Sequence, residues 1–205
     1  MEFLVTTRKE IVEKYQDAGC QIIMVDGTVP GFVARPCDLH FDHHRDGGAP
    51  VQIAEMPVEQ ISFMWEHSHC HKGVAIVTTQ VDADACVAAA YVLLRKQVWD
   101  GKHYVTPFMT LKVKETYQRL KAIAYDCDHL YVPLELSEYS EFASLCVAAM
   151  KSGSNDLVSE LGLNPNRREW TVEDKELFAS TAFERGTQHL IDACLGKRPF
   201  PGENG

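Results

Sequence analysis

Leu39-His-Phe-Asp-His-His-Arg45 gathers an aspartate, adjacent histidines and an arginine into one short stretch. Two other stretches match it in character: Ile22-Ile-Met-Val-Asp26 ends an apolar run in a carboxylate, and Val81-Asp-Ala-Asp84 follows another apolar run with a pair. Hard oxygen and imidazole donors just past the ends of apolar runs stand where an open α/β sheet binds ligands, and together they read as a divalent-metal site. Two carboxylates in the Asp82-x-Asp84 loop cannot both stay ionised cheaply without a cation. Each part also has a plainer use. Asp82 suits a helix N-cap, Asp84 a first-turn dipole partner, Asp26 a turn, and Asp42-His43-His44 a solvated loop. The conjunction points to metal.

Phe41-Asp-His-His-Arg45 resembles the signature of the DHH phosphoesterase superfamily, two-metal hydrolases that include family II inorganic pyrophosphatases, certain single-strand exonucleases and cyclic-dinucleotide hydrolases. Ile22 to Asp26 is similar to the strand that carries an isolated metal-binding aspartate, Val81-Asp-Ala-Asp-Ala-Cys-Val-Ala-Ala-Ala90 to the Asp-x-Asp-Ala motif with its small-residue helix, and Ala122-Ile-Ala-Tyr-Asp126 to a helix end offering a further aspartate. The resemblance spans about residues 20–130. It implies that Asp26, His43, Asp82, Asp84 and Asp126 ligate metal, that Asp42 orients a ligand, and that His44, with Arg45, meets phosphoryl oxygens. It further implies one or two Mn2+ or Mg2+ ions and hydrolysis of a phosphoester or phosphoanhydride in a small phosphorylated substrate or nucleotide. The order differs from the family's, because Asp-x-Asp follows the signature here, as in a circular permutation. Thr78 also stands where the family has a histidine. His40, on the same strand face as Asp42, is the nearest replacement donor. Thr78 favours the alternative of a noncatalytic metal- or nucleotide-binding module.

The elements that must position these residues follow from periodicity. Residues 21–25, 38–41 and 73–79 read as strands, the last being continuous and β-branched like a strand of a buried parallel sheet. Thr7-Arg-Lys-Glu10 reads as a capping box opening a helix to about Ala18. Helices are expected over 83–98, from Pro107 to near Asp126, over 138–151, and from Thr171-Val-Glu-Asp174 to Gly196. A strand is expected over 129–133, a turn over 155–161, and a helix is weighed between Pro57 and Trp65. The fold class is α/β, a mainly parallel sheet flanked by helices with a helical C-terminal cap. Its boundaries are 1–135 for the metal-binding core and 136–205 for the cap.

The chain has 205 residues and a formal charge of -9. With no basic cluster, this argues against a broad nucleic-acid contact, though only weakly, because bound cations would neutralise part of the charge. Seven scattered cysteines without a Cys-x-x-Cys pair suggest mostly reduced, buried thiols and a cytoplasmic protein. The longest apolar segment, 86–94, is far short of a membrane span of about 20 residues. His67-Ser-His-Cys-His71 could present three imidazoles on one face to zinc or manganese, or be a solvated loop; it leads into the far end of the strand before Asp82. No nucleophile elbow or activated cysteine is present, so covalent catalysis has no candidate.

Overall fold

The computed structural model describes residues 1–41, 72–100, 107–152 and 154–197. Among them the strands are β1 (Glu2–Val5), β2 (Cys20–Val25), β3 (Leu39–Phe41) and β4 (Gly73–Thr78). The helices are α1 (Lys9–Asp17), α2 (Ala83–Asp100), α3 (Pro107–Asp128), α4 (Ser140–Ser152), α5 (Ser154–Glu160) and α6 (Val172–Cys194). The four strands form one all-parallel sheet in the order β1-β4-β2-β3. The fold is α/β.

Alternation along the strands splits the core into two layers. Ile22, Met24, Ala75 and Val77 face α1, where they bury Val12 and Val29. Val5, Ile23, Val25, Phe41 and Ile76 face the other way, into a larger cluster built with α2, α3, α4 and α6. α4 and α6, after residue 135, therefore share the sheet's own core. Phe183 of α6 is fully buried and meets the Phe3 ring edge-on, centroids 5.2 Å apart. Gly186 lets α6 approach α2: a Cβ there would lie 3.0 Å from Cys86 Sγ.

β1 was not anticipated. Four residues are too few to show a period, and the strand is secured by distant groups: Val5 N–H donates to Ser180 Oγ at 3.0 Å, and Glu176 receives both the Arg8 guanidinium and the Thr6 hydroxyl. This anchoring also corrects the expected helix start. Thr6 N–H is pinned to the Thr78 carbonyl at 3.1 Å, so Arg8 becomes the N-cap of α1, with no side-chain cap, and the Thr7 capping box does not form. The box at Thr171 does form, with Thr171 and Asp174 each satisfying the other's backbone N–H.

Residues 129–133 are a turn, not a strand. Leu130 adopts φ 57° and is exposed, and the chain passes into a 3-10 turn at Leu134–Tyr139 rather than meeting a sheet edge. The turn expected over 155–161 is instead mostly helix, α5. The helix weighed between Pro57 and Trp65 lies outside the described residues. Cys86, Cys146 and Cys194 are buried thiols and Cys20 and Cys127 half-buried ones. Most of the cysteines are thus free thiols, as expected, while Cys37 is disulfide-bonded. Among the described residues no helix is long and apolar enough to cross a membrane.

Candidate metal centre

β2 ends at Val25, and the next residue takes a conformation that few side chains adopt: Asp26 has φ 44° and Gly27 φ 117°. Both neighbouring strands hold it there. Asp26 N–H donates to the Phe41 carbonyl of β3 at 2.9 Å, and the Asp26 carbonyl accepts from Thr78 Oγ1 of β4 at 2.7 Å. Glycine is required next, because Thr79 folds over it and a Cβ on Gly27 would lie 2.3 Å from Thr79 Oγ1.

From β4 the chain runs through Thr79-Gln80-Val81 into α2. Asp82 caps that helix, its Oδ1 accepting from Ala85 N–H at 3.1 Å, while its Oδ2 accepts from Gln80 Nε2 at 2.8 Å. Asp84 follows in the first turn. Asp26 is 4% exposed and Asp84 7%. One carboxylate oxygen from each of Asp26, Asp82 and Asp84 lies within 4.8 Å of the others. Burial pushes the Asp84 carboxyl up to about 8, and a hydrogen bond with Asp82 and the charges of Asp26, Asp82 and Asp128 push the same way. Without a counter-charge the cluster keeps a proton at neutral pH. Three oxygens so placed fit a hard divalent cation.

No family model, curated protein or solved structure matches this chain.

Three of the anticipated ligands thus converge: Asp26, Asp82 and Asp84. Two others do not. His40 pairs in register with Met24, on the α1 side of the sheet; its Nε2 lies 2.9 Å from Thr28 Oγ1, and its ring meets Phe32 edge-on. It does not stand in for the histidine replaced at position 78. Asp126 points toward α4, where its Oδ2 accepts from Ser144 Oγ at 3.4 Å. The residues of that helix end that reach Asp84 are its successors. Cys127 Sγ lies 3.9 Å from Asp84 Oδ1, its thiol pushed up to about 11 by burial and the neighbouring carboxylate, and the charge of Asp128 acts on Asp84. The stripe of buried Leu120 and Ile123 and half-buried Cys127 at helical spacing is a signal that could have singled out Cys127. Asp42, His43, His44 and Arg45, with His67, His69 and His71, lie outside the described residues.

Thr78 gains a role that its departure from the family pattern had hidden. It is fully buried, and its hydroxyl holds the Asp26 carbonyl. Thr78→Val, nearly equal in shape, leaves that carbonyl short of a donor and is expected to lower stability by about 1–3 kcal/mol in urea denaturation. An unchanged midpoint would mean that the hydrogen bond does not fix Asp26.

Proposed function

We propose that Asp26, Asp82 and Asp84 hold a hard divalent cation, Mn2+ or Mg2+, and that the protein is a metal-dependent hydrolase of a phosphoester or phosphoanhydride. The observation that supports this most is the meeting of three carboxylates within 4.8 Å at the carboxyl edge of a parallel sheet, where open α/β folds receive ligands. When bound, the ion supplies positive charge and Lewis acidity to a phosphoryl group. The protein's own part is positional and protonic. The Asp26 backbone is clamped from two strands, which fixes the point from which its carboxylate projects. Gln80 and the Ala85 N–H set the direction of the Asp82 oxygens, and each oxygen keeps lone-pair capacity for a further bond. Asp84 holds a proton in the absence of a cation and gives it up when one binds.

The DHH resemblance adds residues to this reading: His43 as a further ligand, Asp42 to orient it, and His44 and Arg45 for charge on the phosphoryl oxygens. That motif begins at Phe41, the residue whose carbonyl holds the Asp26 N–H. The test couples metal to turnover. Crystals grown with manganese should show an anomalous peak among the three aspartates, and the protein should release hydrolysis products from at least one of pyrophosphate, nucleotides, cyclic dinucleotides or short single strands in a manganese-dependent way, read as free phosphate for the first two and as the opened or shortened nucleotide for the others. Asp82→Asn should lose both. Manganese without release from any substrate would leave a binding module, and an empty centre would overturn the reading.

A further inference from the structure

We propose that the cleft between the carboxyl ends of β1 and β4 and the first half of α6 receives the organic group of the substrate, which is therefore a phosphate ester with a bulky apolar group. This deepens the hydrolase reading and rests on it. The cleft holds about 500 Å3, well within the range of roughly 300 to 1,000 Å3 typical of small-molecule pockets.

Its place beside the carboxylates is set by two wall residues. Thr79 packs over Gly27, next to Asp26, and Gln80 lines the cleft while its amide is bonded to Asp82 at 2.8 Å. A phosphoryl group at the centre would thus have its ester substituent at the mouth of the cleft. Most of the remaining wall is apolar, with Val5, Val81, Phe178 and Ala182 among its residues. Phe178 is fixed from behind by the Trp170 ring at 5.0 Å and the Arg167 guanidinium at 5.0 Å. Burying apolar surface against such a wall favours a substituent with carbon to bury and offers nothing to an inorganic phosphate.

The charges agree. Glu176, the acidic residue of the lining, is already engaged by Arg8 and Thr6. Lys175 stands exposed at the rim and makes no ion pair with another described residue, so it offers one cationic group to an approaching phosphate ester. In the reaction, the oxygen of water bonds to phosphorus as the bond from phosphorus to the ester oxygen breaks. A proton of that water passes to the departing oxygen, and an alcohol and inorganic phosphate leave.

The experiment compares 1-naphthylmethyl phosphate with methyl phosphate, two alkyl esters that differ mainly in bulk, using the full chain with manganese. The larger ester should be preferred in kcat/KM by about tenfold or more, and Ala182→Phe, which fills the cleft, should reduce that preference by a similar factor. Val172→Asp, at the exposed first position of α6 where a carboxylate is well tolerated, should reduce it too and serves if the first variant fails to fold. No preference, or a preference intact in a folded variant, overturns the pocket. If neither ester is hydrolysed, pyrophosphate, nucleotides and cyclic dinucleotides decide the hydrolase reading separately, and calorimetry with 1-naphthylmethylphosphonate decides the pocket. Binding that weakens in the variants supports it, and no binding overturns it.

Discussion

Asp84→Asn is expected to abolish tight divalent-cation binding while raising the melting temperature of the metal-free protein at pH 8. The two effects have one origin. The Asp84 carboxyl is held up to about 8 by burial and by the negative charge of its neighbours. As a ligand it contributes a charge for which an amide is a poor substitute. Removing groups that only orient a ligand typically costs 10–100-fold in affinity, so loss of the ligand itself should reach about 100-fold or more. Without the ion the same charge is a liability, and asparagine removes the repulsion at nearly constant shape. Calorimetric titration with Mn2+ and thermal melting in chelator measure the two halves. Weaker binding with no gain in metal-free stability would mean that Asp84 is not strained in the folded chain. Unchanged binding would remove it from the centre.

The second large effect is on protons. In the unfolded chain Asp84 ionises near pH 4, whereas in the folded, metal-free chain it keeps its proton to about 8. Between those values the native state binds more protons than the unfolded one, so stability falls as pH rises. The contribution is fully present below about pH 4 and is lost by the time the pH passes about 8. Two observations follow. Chelated protein should melt progressively lower from pH 5 to pH 9 relative to Asp84→Asn, the difference isolating this group. Binding of Mn2+ at pH 7 should release about one proton, read as a dependence of apparent binding enthalpy on the buffer's ionisation enthalpy, and that dependence should vanish above pH 9. Equal enthalpies in all buffers at pH 7 would show that the cluster is already fully ionised.

Those elements that carry their own pattern were legible in the sequence. β2 and β4 are continuous apolar runs, α2 carries Val87, Ala90, Tyr91 and Leu94 at helical spacing, and all three elements formed. The two capping boxes show where such reasoning stops. Thr171-Val-Glu-Asp174 closes both of its bonds because nothing else competes for those groups, whereas Thr7-Arg-Lys-Glu10 fails because Thr6 and Arg8 are held by Thr78 and Glu176. Residues 129–133 have a strand's composition but no strand edge beside them. At the centre, the spacing of Asp26, Asp82 and Asp84 relative to strand ends was enough to bring them together. Asp126 was placed on the correct helix end and the wrong side of it. Successive residues turn by about 100° around a helix, and that rotation gives Cys127, not Asp126, the contact with Asp84. The hydroxyl of Thr78 reads as a lost ligand in sequence and as a backbone clamp in three dimensions.

The join between β1 and α6 has a consequence for biosynthesis. Val5 and Ser180, which bond directly, are 175 positions apart, so β1 leaves the ribosome well before α6 and must wait for it before its outer edge is closed. In that interval Phe3 lacks the ring of Phe183. The two elements are thus the halves of a clasp made far apart in time, and α6 is the half that shuts it.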